Sequence, residues 1–248
     1  MTLSAEMKSE VILVVGSSGS IGSALIDQLA QRKPTAQIYG ISRVLDGAKK
    51  AQANVTYLQC DYASEQALSA FVSQFKENQT HIDQLLVASG VLSAVADHPE
   101  KNVHQITEKE LLENMRINAI IPALIFREFY NLLSHSSVPR FGALSARIGS
   151  ISDNKLGGWY AYRMAKAALN MFIKTASLEL KRKNKESIVV GLHPGTVRTK
   201  FSERFINNTT KNCFTPEVAA TQLINVFSAL TPSESGKCFA WDGQEIQP

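Results

Sequence analysis

An α/β fold with a doubly wound, mostly parallel sheet is predicted by three features of the sequence. Short β-branched runs alternate with segments of helical apolar period, the connections are short, and the first run passes straight into a glycine-rich turn. Such alternation calls for right-handed crossovers, with helices covering both faces of the sheet.

The run VILVV at 11–15 has no polar alternation and reads as a strand buried on both faces. After the turn Gly16–Gly22 comes the first helix, followed by strands expected at Gln37–Ile41 and Val55–Cys60. A helix at Glu65–Glu77 leads to a strand at Gln84–Ala88. The second half repeats the pattern: helix Glu108–Leu133, strand Phe141–Leu144, helix Tyr160–Arg182, strand Ser187–Leu192, helix Pro216–Ala229 and a last strand near Lys237–Trp241. About seven strands use the whole length. No repeat or linker-like composition shift divides it, so residues 1–248 are expected to form one domain, with a substrate lid at about 201–215.

Composition narrows the function classes. With 248 residues, 44% of them hydrophobic, the chain can build a core without a disulfide or metal staple. Cys60, Cys213 and Cys238 are odd in number and far apart, which suits a reducing, cytoplasmic setting. The apolar run Ala119–Phe126 contains Pro122 and is far short of the about 20 residues of a membrane span. Glu6 and Glu10 precede only five apolar residues, Val11–Val15, too short a run for a secretory leader. The net charge of +4 owes much to Lys181, Arg182, Lys183 and Lys185 at a helix end. They complement the helix dipole, and no aromatic residues interleave with them as a nucleic-acid surface would require. His98, His104 and His135 lack metal-ligand spacing, so no metal is expected.

The turn GSSGSIG stands where a dinucleotide fingerprint should, between the first strand and the first helix. Gly16 would permit the tight turn, Gly19 the approach to pyrophosphate and Gly22 the helix–strand packing, with Ser18, Ser20 and Ile21 supplying backbone donors. The alternative is a purely structural βα turn. The second strand ends in Ile41-Ser42-Arg43, with no carboxylate before Asp46. A carboxylate there would hold a ribose 2′-hydroxyl, whereas Arg43 can pair with a 2′-phosphate, so NADP(H) is expected over NAD(H). Otherwise Arg43 is a solvated surface charge.

Tyr162 and Lys166 lie one helical turn apart, so a phenol and an ammonium can share one face. A tyrosine titrates near pH 10, and bringing it to about 7 takes roughly 4 kcal/mol of preferential phenolate stabilisation. A buried cation and a cationic nicotinamide could supply it, making Tyr162 the general acid or base and Lys166 its electrostatic tuner. Away from a nucleotide fold, such a pair would be an ordinary surface pair. Pro122 has no N–H for the carbonyl of Asn118, which leaves that carbonyl free for a water that extends the proton path. A kink that merely fits a curved core is the plainer reading.

Together, GSSGSIG, Cys60-Asp61, Val87-Ala88-Ser89-Gly90, Asn118, Tyr162/Lys166, His193-Pro194-Gly195-Thr196 and the stretch from Ser145 to Asn170 resemble the short-chain dehydrogenase/reductase superfamily, in its C-factor-like or sniffer-like carbonyl reductase branch. The resemblance implies a Rossmann-type three-layer sandwich. It places Asp61 on the adenine amino group with Cys60 and Tyr62 beside it, and Ala88, Ser89 and Gly90 along the adenosine half. Pro194, Gly195, Thr196, Val197 and Thr199 would line the nicotinamide, and Asn118 would join the catalytic set. Two departures stand out. Ser20 occupies the usual place of the second turn glycine, and the family's serine spacing before the tyrosine lands on Gly149. A short loop insertion would move the serine role to Ser145, while alignment on Gly149-Ser150 puts Ala146 there. The other readings are that Ser150 or Ser152 reaches in, or that the hydroxyl is missing altogether.

Phe201, Phe205, Ile206, Phe214 and Trp159 suggest a small apolar aldehyde or ketone, or its alcohol, although packing of the lid on its own domain would explain them too. Ala161, Ala165, Ala168, Leu169, Phe172 and Ala176 form a small apolar face that can meet the sheet or a second subunit, and the resemblance implies a homodimer or homotetramer. A carbonyl reductase and a weakly catalytic nucleotide-binding regulatory protein are the rival functions. A nucleotide-sugar epimerase is disfavoured, because too little chain follows the tyrosine helix for a sugar-binding domain.

Overall fold

Strand β1, Val11–Val15, is buried along its whole length, which puts it inside the sheet rather than at an edge. A computed structural model of the chain describes residues 9–45, 52–199, 202 and 213–248. In it, β1 lies between β2, Gln37–Ser42, and β4, Gln84–Val87, parallel to both. Beyond β2 lies β3, Val55–Gln59, and beyond β4 come β5, Arg140–Leu144, and β6, Ile188–His193. Two further strands complete the order β10-β9-β6-β5-β4-β1-β2-β3: β9, Cys238–Ala240, parallel to β6, and β10, Glu245–Ile246, antiparallel to β9. The sheet thus has eight strands where about seven were expected. The eighth is two residues long, too short to show a period.

The pleat sorts the core into two layers. Val11, Leu13 and Val15 face one cluster, while Ile12 and Val14 face another built around α1, Ser20–Arg32, and α6, Pro216–Ala229. On the first side lie α2, Glu65–Asn78, α4, Ile121–Ser134, and α5, Tyr160–Lys183. This is the α/β three-layer arrangement that the alternation predicted. A separate two-stranded sheet pairs β7, Thr196–Val197, with β8, Cys213–Phe214, across the segment expected to form the lid. Of that lid only Ser202 and residues 213–215 are described, so Phe201, Phe205 and Ile206 lie outside the described residues.

The helix expected as one piece over 108–133 is three. α3, Glu108–Met115, passes into a π-helical turn at Arg116–Ile120 before α4 begins. The Ile121 N–H donates to the Arg116 carbonyl, five residues back. Pro122 cannot donate and its ring crowds the preceding turn, so the chain widens by one residue instead of continuing as α-helix. No helix among the described residues is long and apolar enough to cross a membrane.

Candidate functional site

The strand order reverses between β1 and β4, so the loops leaving their carboxyl ends part there and frame a crevice. The glycine turn sits in it. Gly16 has φ +88°, and a Cβ on it would lie 2.8 Å from the Ser89 nitrogen, so the two loops are in backbone contact. A Cβ on Gly22 would lie 2.2 Å from the Gly16 carbonyl oxygen. Gly19 has an ordinary φ of −74° and is the N-cap of α1, with no side chain capping that helix and no acid in its first turn. The Gly19 N–H donates to the Gly16 carbonyl at 3.0 Å, closing the turn although Ser20 stands where a glycine is usual. Ser18, Gly19 and Ser20 are exposed and Ile21 is partly so. The open helix end and the side-chain-free approach fit a pyrophosphate.

Ser42 is buried at the end of β2, its hydroxyl donating to the Val44 carbonyl at 2.8 Å, and the exposed Arg43 follows. The Arg43 guanidinium lies 5.9 Å from the ring centroid of Tyr62 and is hydrogen-bonded to that side chain. Burial pushes the Tyr62 phenol up, with Arg43 pulling the other way. Asp61 is exposed and its carboxylate accepts the Ala63 N–H at 3.2 Å. Burial, with Asp61 beside it, pushes the Cys60 thiol up to about 11, leaving it unreactive. Ala88, Ser89 and Gly90 leave β4 beside Gly16, and the buried Ser89 hydroxyl has no hydrogen-bond partner among the described residues. On the other side of the crevice, Gly195 has φ +74°, and a Cβ there would strike the Phe214 and Trp241 rings. Beside it Pro194 is partly exposed and Thr196 exposed, Val197 is buried, and the Thr199 N–H donates to the Ser202 hydroxyl at 3.1 Å.

The reacting candidates meet at Gly90. A Cβ there would lie 3.0 Å from Asn118 Oδ1 and 3.7 Å from Lys166 Nζ, so two elements far apart in sequence deliver polar groups to one point. Lys166, 3% exposed, donates from Nζ to the Leu144 carbonyl at 2.7 Å and lies 5.7 Å from the Tyr162 ring centroid. Burial brings its ammonium down to about 7. Burial also pushes the Tyr162 phenol up, so the protein's own groups do not produce the lowered value expected from the sequence. A cation held near its titration point across that distance does not offset desolvation of the phenolate. The Asn118 amide is fully engaged: Nδ2 donates to the Val91 carbonyl at 2.8 Å and to Asn114 Oδ1 at 2.6 Å, while Oδ1 accepts the Val91 N–H at 3.1 Å. Any role in a water path therefore falls to its main-chain carbonyl.

Ser145 is placed differently from the expectation that it would polarise a substrate. It is 3% exposed, just past the end of β5, and its hydroxyl donates to Asn170 Oδ1 of α5 at 2.6 Å. Ala146 follows it in extended backbone, and Ser150 and Ser152 are engaged with each other at 3.3 Å in the next loop. Sequence reasoning passed over His193. Burial, with Arg147 and Lys166 adding to it against Asp242, lowers it to about 4, and its buried Nδ1 has no hydrogen-bond partner among the described residues. It also passed over Glu110 and Asn114, whose spacing of one helical turn from each other and from Asn118 was visible.

The small apolar face of α5 is largely covered within the chain. Leu169 and Ala176 join the core on one side of the sheet, with Ala168 and Phe172 packed against it, and Ala161 and Ala165 are buried nearer the amino end of the helix. At the opposite, amino edge of the sheet lies a cleft of about 710 Å³ between Glu10, Lys33, His81, Asp83 and Arg140. Lys33 pairs with Glu10 at 2.7 Å, His81 with Asp83 at 3.3 Å, and Arg140 donates to the Phe227 carbonyl at 2.7 Å.

Comparison with known proteins agrees with this geometry. The chain is 30% identical over 137 residues to the C-signal of Myxococcus xanthus, covering 55% of this chain and 78% of that protein. Its structure is similar to the carbonyl reductase Sniffer of D. melanogaster, with a TM-score of 0.85 and 22% identity, covering 97% of this chain and 100% of that one. It is also similar to an NADPH-bound carbonyl reductase from chicken fatty liver, with a TM-score of 0.82 and 20% identity, covering 98% and 96% of the two chains. The short chain dehydrogenase family model matches residues 10–210, and the chain belongs to that family of oxidoreductases.

Proposed function

We propose that the chain is an NADP(H)-dependent reductase of small aldehydes or ketones, with Tyr162 as the proton donor. The observation that carries this reading is the convergence of Lys166 Nζ and Asn118 Oδ1 on Gly90, beside the Tyr162 ring and next to the glycine turn. The bound nicotinamide would supply the hydride. The open amino end of α1 and the turn Gly16–Gly22 would hold the pyrophosphate, and Arg43, seated on Tyr62, would hold the 2′-phosphate. An upward-shifted phenol stays protonated across the working pH range, which suits donation to the carbonyl oxygen in the reductive direction. Lys166, titrating near neutrality, can return a proton to the phenolate. With the Ser145 hydroxyl turned to Asn170, the Tyr162 hydroxyl itself orients the substrate carbonyl.

Self-association belongs to the same reading, since Met164, Met171 and Leu178 are exposed at intervals of two turns along α5. The three unpaired cysteines suit a reducing cytoplasm. NADPH absorbance followed with a panel of aldehydes and ketones tests the proposal. Tyr162→Phe should lower turnover by about a hundred- to ten-thousand-fold, and turnover that survives the substitution removes Tyr162 from the mechanism. The buried Ser145 favours one rival, a regulatory nucleotide-binding protein. Tight NADPH binding without turnover of any carbonyl would establish that reading instead.

A further inference from the structure

Residues 88–102 connect β4 to the turn before α3 without regular secondary structure apart from bends. Two acids, each 4% exposed, hold this segment at its two ends, and neither belongs to the reacting groups. Glu110, in the first turn of α3, accepts the N–H groups of Ala94 at 2.6 Å, Val95 at 2.8 Å and Ala96 at 2.9 Å, with Asn114 Nδ2 at 3.2 Å. Burial pushes this carboxyl up, and the four hydrogen bonds outweigh it and leave it lowered. Asn114 Nδ2 also donates to the Leu92 carbonyl at 3.1 Å, and Asn114 Oδ1 accepts from Asn118, which in turn grips Val91 through both its amide atoms. Three residues spaced one helical turn apart thus fasten 91–96 to the helix that carries Asn118.

The far end of the segment meets α5. Gly157, Gly158 and Trp159 have φ of 67°, 65° and 54°, and Trp159, the N-cap of α5, has no side-chain cap of its own to offer. The missing partners come from Glu100: its carbonyl accepts the Trp159 N–H at 2.6 Å, and both its carboxylate oxygens face the Ala161 N–H at 3.4 Å. A Cβ on Gly158 would lie 3.3 Å from that same carbonyl. Tyr162 lies in the turn that Glu100 caps, where an uncapped helix frays first.

We propose that 91–100 is a strap that sets the placement of Asn118 and Tyr162 relative to each other, with Glu110 and Glu100 as positioning residues at its two ends. The proposal rests on the reading of Tyr162, Lys166 and Asn118 as the reacting groups. Glu100→Ala removes the cap without touching the glycine turn. Hydrogen exchange of the unliganded protein should quicken at residues 160–163 by about tenfold or more. The kcat for benzaldehyde reduction should fall by about tenfold or more, with the Kd for NADPH changed less than about twofold. Glu100→Gln keeps an oxygen acceptor and should recover kcat to within about threefold of wild type. At the other end, Asn114→Ala should lower kcat while leaving the KM for NADPH unchanged. Because it leaves Glu110 and its three backbone contacts in place, it tests this end even if a Glu110 variant fails to fold. Unchanged exchange at 160–163 together with unchanged kcat in Glu100→Ala overturns the strap. Tyr162→Phe, measured in parallel, separates the two claims: if it abolishes turnover while Glu100→Ala changes nothing, the strap alone is wrong, and if it leaves turnover intact, the parent reading is wrong.

Discussion

The two edges of the sheet handle charge in opposite ways. At the amino edge Lys33 is paired with Glu10, the His81 ring lies 3.3 Å from Asp83, and Arg140 donates to the Phe227 and Leu230 carbonyls. At the carboxyl edge Lys166 donates to a backbone carbonyl beside the Tyr162 ring, Arg43 rests on an aromatic ring, and burial, with Arg147 and Lys166 adding to it, keeps His193 neutral. A cation already paired with a carboxylate stabilises the fold modestly and has little left to offer a ligand. A cation buried without a countercharge costs stability, and that cost is recovered only when an anion forms or binds beside it. The charges at one edge are matched within the protein, and under the proposed function those at the other would meet a phenolate and a phosphate.

Lys166→Met should break this contrast most strongly. Turnover should drop by about a hundredfold or more, because the phenolate loses its cation. Stability should move the other way. The folded pKa of Lys166 is lowered to about 7 from an unfolded value near 10.5, so between those limits the unfolded chain binds more protons, and wild-type stability rises with pH through that window. Thermal melts should show Lys166→Met at least as stable as wild type at pH 6, with the advantage shrinking from pH 7 to 10. An equal pH dependence in the two proteins would mean that Lys166 is charged and well solvated.

Arg43→Ala should have an intermediate effect, weakening NADPH binding by about 2 kcal/mol while barely changing NADH, since only NADPH carries the 2′-phosphate. Equal weakening of both cofactors, measured by calorimetry, would return Arg43 to the class of solvated surface charges. The smallest effect belongs to the amino edge. Glu10→Gln removes a partly exposed pair and should cost about 1 kcal/mol in denaturant unfolding, with kcat unchanged. A large loss of turnover there would erase the distinction between the edges.

Much of this organisation was legible in the residues. VILVV announced a doubly buried strand, and the contacts of Gly16 and Gly22 are those that a dinucleotide turn requires. The pairing of Tyr162 with Lys166 follows from one helical turn, and Pro122 marked the break now seen as a π turn. What stayed hidden depended on partners distant in sequence. Ser145 was a candidate because a short loop insertion would bring the family's serine-to-tyrosine spacing onto it, but its hydroxyl donates to Asn170 of α5. Glu100 carries no local signal, since the helix it caps begins 60 residues later.

The sequence by itself determined most of the strands and helices, the glycine turn between the first strand and the first helix, and which helix face presents a phenol and an ammonium. These depend on local periods and on the steric needs of glycine and proline, which act over a few residues. Tertiary structure alone decided that Asn118 and Lys166 meet at Gly90, that Ser145 faces inward and that two buried acids fasten one loop between two helices. Those outcomes depend on which groups lose their water together. Desolvation is a property of the packed neighbourhood, and no single segment encodes it.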